Sequence, residues 1–391
     1  MKYLMFENKE YGIVGNLNKD GQEYLILVDE NINNIVLTKE NGKYIRDVKK
    51  EKEILNIINN KSDILYINGS NNLNNKKEIN FDEIKNNLLP KFDNLKKILN
   101  ISFSGEKLTK DVKIKFPTKE ELIYIMNRGI NFDDNHFACY DSNTNTIFVN
   151  EILQYFDDIY TEHIICHELV HLYSTNKVTK LMGIMLKDYS GRAFNEGITE
   201  LITNFMLQDE VCIDVIDSYQ ALGLTKILDF ITLVKCYFEN DSKTLINELL
   251  KLGTKNEVAI LINSADATYN ISNNIDSKNL DNNFINTTQK ALSIFYLKKE
   301  LIDINKNLYS TEDELLDNII MFKNTIIDSE ILEQFNVDSS KYIDIDSTKE
   351  DFYELVQILL NEFKNHNLKV EFNNSEQIDE LNSYRDLFPK R

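Results

Sequence analysis

Residues 163–174 read "HIICHELVHLYS" and hold three of the chain's five histidines. In a helix, positions four apart lie one above the other, so His167 and His171 can turn their imidazoles toward a single point. Glu168 lies one step round the helix, close enough to reach a water held there without being a ligand itself. This is the H-E-x-x-H arrangement: two neutral imidazoles hold zinc, and the glutamate serves as general base toward a metal-activated water. Zinc suits the task because its Lewis acidity brings the water's pKa toward neutrality and polarises the carbonyl under attack.

A third ligand is available downstream, where "GRAFNEGITELI" supplies Asn195, Glu196 and Gly197, with Glu200 four residues after Glu196. If this segment is helical, both carboxylates face the same way. One can complete a His2Glu set with an open corner for water, while the other hydrogen-bonds the far nitrogen of a ligating histidine. We take Glu196 as the ligand and place Glu200 and Asn195 behind it as supports. Gly197, without a side chain, is expected to let this helix approach the first closely. His163 lies one turn before His167, and a rise of 1.5 Å per residue puts its Cα about 12 Å from that of His171, against Zn–N bonds of about 2.1 Å. One ion cannot take both ends, so His163 is read as a wall or supporting residue. Cys166 is expected to be a small buried hydrophobe, and His136 and His366 to be surface residues.

"HELVH" followed by "NEGITE" resembles the gluzincin metallopeptidases, over roughly residues 100–270. The resemblance implies zinc held by His167, His171 and Glu196, one ion per chain, with Glu168 as catalytic base. The chain is also similar to the lethal-factor type of peptidase and the related proline-specific endopeptidases. In those a tyrosine seven residues before the ligand glutamate donates its hydroxyl to the oxyanion. That offset falls on Tyr189, within "KDYSGRAFNEG", with Tyr219 as the substitute donor. A donor of this kind stabilises charge that develops only in the transition state. No substrate-pocket sequence matches these relatives, which leaves cleavage specificity and the choice between internal and terminal cleavage open.

The elements that must position these groups are legible in coarse form. The first fifty residues alternate with period two, as in "EYLILVDE", and Asn41-Gly42 favours a tight hairpin turn, so a small antiparallel β domain is expected over residues 1–67. The polar run at 68–80, "NGSNNLNNKKEIN", lacks the apolar residues that repay ordering and reads as a linker. The segment 81–275 is expected to form the metallopeptidase domain. It opens with a helix to Leu99, a strand "VKIKF" ended by Pro117, a helix "TKEELIYIMNR" with an N-terminal capping pattern, and a hairpin "FACYDSNTNTIFVN". In zincins an edge strand above the metal helix pairs with an extended peptide, and Ile147, Phe148 and Val149 of this hairpin are the candidates for substrate binding. Residues 276–391 read as a helical extension. The fold class expected is thus α+β: a zincin-like catalytic domain of small mixed sheet and active-site helix, helical toward its end, behind a small β domain.

Composition narrows the partners. A net charge of -19 gives a surface that repels phosphate backbones and anionic membrane faces, so neither nucleic acid nor membrane is expected as a partner. The four cysteines have no C-x-x-C spacing, and reduced thiols are the default. No signal-peptide pattern or membrane span is evident, which suggests a cytoplasmic protein, and the wealth of Asn, Lys and Ile suggests an AT-rich bacterial or phage genome. The function expected is a zinc-dependent metallopeptidase acting on a peptide or protein, including the case of an effector acting on a foreign protein. The alternative is a non-catalytic binding protein on a zincin scaffold with a structural metal. Retention of Glu168 argues against it, because a structural site needs no base and closes its fourth position with a ligand.

Overall fold

The computed structural model describes residues 3–7, 9–19, 21–40, 42–59, 76–127, 137–188, 190–208, 211, 215–272, 281–328 and 345–372. The period-two segment forms an antiparallel sheet with its strands in chain order: β1 (Tyr3–Phe6), β2 (Lys9–Lys19), β3 (Gln22–Val28), β4 (Asn34–Glu40) and β5 (Lys43–Ile45). Alternation divides its side chains between two faces. Tyr24, Ile26, Val28 and Val36 join a cluster with Ile54, Ala259, Ile260 and Phe284, while Leu25, Leu27, Ile35 and Leu37 cluster separately. The first face is covered by α1 (Val48–Asn59), α9 (Lys255–Ser272) and the start of α10 (Phe284–Asn305). A two-residue strand, β9 (Asp281–Asn282), pairs with β2. The N-terminal sheet therefore shares its core with helices more than two hundred residues away. Asn41 of the expected hairpin turn and residues 68–75 of the expected linker lie outside the described residues; Gly42 has a φ of 76°, the left-handed conformation such a turn demands.

The expected elements of the next segment form. They are α2 (Phe81–Leu99), β6 (Lys113–Lys115), α3 (Lys119–Asn127), β7 (Ala138–Asp141) and β8 (Thr146–Val149). The capping box before α3 is complete: Thr118 Oγ1 accepts the Glu121 N–H at 3.3 Å and Glu121 Oε2 accepts the Thr118 N–H at 2.9 Å. The three strands make a small mixed sheet in the order β6-β8-β7. This order corrects the expectation for Ile147, Phe148 and Val149. β8 lies in the middle, paired parallel with β6 from Thr146 to Phe148 and antiparallel with β7 throughout, and all three side chains are buried. A backbone already paired on both sides cannot accept an extended peptide; among the described residues the unpaired edge next to the histidine helix belongs to β7.

The rest is helical: α4 (Asp158–Tyr173), α5 (Arg192–Leu207), α6 (Val215–Ile227), α7 (Phe230–Phe238), α8 (Ser242–Leu252), then α9 and α10, α11 (Glu312–Phe322) and α12 (Ile345–Phe372). α4 is enclosed on nearly every side, since from His163 to Tyr173 each residue is buried. Such a helix reads apolar all round rather than as a stripe. Gly197 corrects a second expectation. A Cβ at this position would stand 2.0 Å from the Asp217 carbonyl oxygen and 2.8 Å from Ala221 Cβ, so the glycine admits α6, not α4. Among the described residues no helix is long and apolar enough to cross a membrane.

Candidate metal centre

Polar groups inside so enclosed a helix must find partners, because an unpaired buried donor or acceptor is costly. The α4 histidines find theirs on α5. His171 Nε2 lies 2.9 Å and His167 Nε2 3.5 Å from the same atom, Glu196 Oε2. The ligand atoms of His167, His171 and Glu196 all fall within 4.8 Å of one another, a grouping that could hold a metal ion. Two donors on one tetrahedral zinc, each about 2.1 Å from it, stand roughly 3.4 Å apart, so the donor set and its spacing fit such an ion. Its identity is not specified by three ligands of this kind, since imidazole and carboxylate also suit other first-row metals.

The ring nitrogens facing away from this point are also engaged. His167 Nδ1 lies 2.9 Å from Glu200 Oε2, and His163 Nε2 lies 3.0 Å from Glu200 Oε1. His171 Nδ1 has two hydroxyls near it, Thr199 Oγ1 at 3.4 Å and Tyr237 Oη at 3.3 Å, which are themselves 2.6 Å apart. Each candidate ligand ring is thereby held from behind with Nε2 turned to the shared point. Thr199 and Tyr237 were not singled out in the sequence. Thr199 could have been, since it stands three residues after Glu196 on the same helix; Tyr237, on α7, carries no local signal.

Charge follows the contacts. Burial acts to raise the Glu196 carboxyl, but the His171 and His167 imidazoles and Arg192 outweigh it and hold the group well below the usual carboxylate range. Glu200 is likewise opposed by burial and lowered by His163 and His167. Glu168 goes the other way: burial and the nearby Glu196 charge raise it, against the two histidines and the Tyr140 N–H. Two carboxylates stay ionised beside the rings while the third is biased toward taking a proton, a division suited to a base.

Glu168 Oε2 accepts the backbone N–H of Tyr140 at 2.7 Å, which joins it to β7. Asn195, expected among the supports, spends its side-chain oxygen on the Ile184 N–H at 3.1 Å, in the loop between α4 and α5. Tyr189 and His136 lie outside the described residues. Tyr219 is fully buried on α6; its hydroxyl donates to the Ile326 carbonyl at 2.6 Å and accepts from Gln289 Nε2 at 2.5 Å, so its proton is already committed. Cys166 is buried in the main apolar cluster, as expected, and His366 pairs with Asn307 far along the chain.

The start of α5 is held by a residue that sequence reading missed. Gly191 has a φ of 82° and offers no side-chain cap. Asp266 on α9 supplies one, accepting the Gly191 N–H at 2.7 Å and the Ala193 N–H at 2.9 Å, while Arg192 stacks over the Tyr269 ring at 5.0 Å. A cap seventy residues from the helix it serves has no signature in local sequence. No protein-family model, curated protein or solved structure matches the chain.

Proposed function

We propose that the chain is a zinc-dependent metallopeptidase of gluzincin type, with His167, His171 and Glu196 as ligands and Glu168 as general base. The observation that carries this reading is the convergence of two Nε2 atoms on Glu196 Oε2 while both Nδ1 atoms are held from behind. Zinc, when bound, supplies Lewis acidity that acidifies water and polarises a carbonyl. Glu168 takes the proton of the attacking water and returns it to the leaving amine, and the burial that raises its carboxyl favours its holding that proton in between. An extended substrate runs along β7, an edge strand whose side away from β8 has no strand partner among the described residues. Tyr189 keeps the oxyanion role that the resemblance assigns to it, and Tyr189→Phe lowers kcat by about 10²-fold with zinc content unchanged.

Digestion of a peptide library by the zinc-loaded chain, read by mass spectrometry, tests the reading. Cleavage that disappears with a chelator and returns with zinc supports it. Tight zinc binding without cleavage of any peptide would instead favour a binding protein with a structural metal.

A further inference from the structure

The third histidine of α4 has a partner that gives it work. Contacts between α4 and α5 run in opposite directions along the two helices: His171 meets Glu196, His167 meets both glutamates, and His163 meets Glu200. Three rings spaced by four residues thus face two carboxylates spaced by four. The two carboxylates are chemically alike and both lie within reach of His167, yet only one is at the point where the Nε2 atoms meet. What separates them is depth and partner. The Glu196 side chain keeps 14% of its exposure, whereas Glu200 and His163 keep none. Glu200 is also divided, with Oε1 on His163 and Oε2 on His167.

If Glu200 swung toward the metal point, it would leave the His163 Nε2–H without this acceptor in a fully buried position, which folded proteins rarely tolerate. We propose that His163 is a positioning residue that pins Glu200 behind His167. Held there, the carboxylate fixes His167 with its proton on Nδ1 and Nε2 free to bind, and cannot itself enter the coordination sphere. The choice of Glu196 over Glu200 as ligand is then made by His163. This rests on the metal-site reading above.

The test uses the full chain, its His163→Leu variant, which removes the donor at similar volume, and His163→Gln, whose amide N–H reaches about as far as Nε2–H. Zinc affinity is measured by chelator competition and coordination by the visible spectrum of the cobalt(II)-loaded protein. His163→Leu is expected to weaken zinc binding by ~10–100-fold, the range for residues that support ligands, and to alter the cobalt spectrum as a second carboxylate enters. His163→Gln is expected to restore both toward the parent. A His163→Leu protein with parental zinc affinity and cobalt spectrum overturns the inference alone; a parent chain that binds neither metal overturns the metal reading and this inference with it. Should His163→Leu fail to fold, long-range proton–nitrogen spectra of the histidine-labelled parent decide the matter. A proton on His163 Nε2 and on His167 Nδ1 supports the arrangement, and His163 with Nε2 unprotonated overturns it.

Discussion

The Glu168 carboxylate accepts the backbone N–H of Tyr140 at 2.7 Å and so ties the base candidate to the edge of the small sheet. The contact makes Glu168→Gln a clean variant, because the amide oxygen can take the same N–H and the packing of α4 against β7 survives. Turnover is expected to fall by ~10²–10⁴-fold, the usual contribution of a general base, with zinc content and melting temperature close to the parent's. Steady-state kinetics beside elemental analysis check it; undiminished activity would assign the base to another residue.

Glu196 and Glu200 should differ in the severity of their loss. Glu196→Ala removes a ligand and is expected to weaken zinc binding by more than about 100-fold, whereas Glu200→Gln, which removes only support, should cost ~10–100-fold. Chelator competition on both proteins settles the order. The parent should carry close to one zinc per chain, and a reversed order would move the third ligand to Glu200.

Asp266 gives the protein a pH signature away from the metal. Burial raises its carboxyl to about 6, against the Gly191 and Ala193 N–H groups and Arg192, which lower it; Asp188 adds to the rise. The native state therefore holds this proton up to about pH 6 and the unfolded chain only to about pH 4. Between those values the native state binds more protons, so this group's contribution to stability is full below about pH 4 and is lost as pH rises through about 6. Melting curves of the parent and Asp266→Asn across this window should differ in slope, with the variant lacking the decline. Asp266→Ala should cost ~1–2 kcal/mol, as loss of a helix cap does. Parallel pH profiles for parent and Asp266→Asn would remove the group from the account.

Gly197→Ala should be poorly tolerated even though alanine is the better helix former. The added Cβ meets a backbone oxygen, Asp217 O, at 2.0 Å, and a carbonyl within a helix cannot move aside as a flexible side chain could. Overpacking of this kind costs ~1–3 kcal/mol. Because α5 also carries Glu196, the variant is expected to show a lower melting temperature and weaker zinc binding together. Calorimetry with and without zinc tests both, and an unchanged melting temperature would contradict the close approach of α5 and α6.

What the amino-acid order determined by itself is local. The i, i+4 placement of His167 with His171 and of Glu196 with Glu200 follows from helical periodicity, and the alternation of the first fifty residues and the Thr118–Glu121 capping box follow from equally short-range rules. Each could be read because the interacting positions sit within one turn or one strand. Tertiary structure decided the rest. It put β8 in the centre of its sheet, which leaves the edges to β6 and β7, and it turned Gly197 toward α6. It also gave His163 its carboxylate, backed His171 with Tyr237, and capped α5 with Asp266. The chain meets itself in these contacts across tens of residues, and such meetings depend on which faces the whole core buries, a quantity no short window of sequence contains.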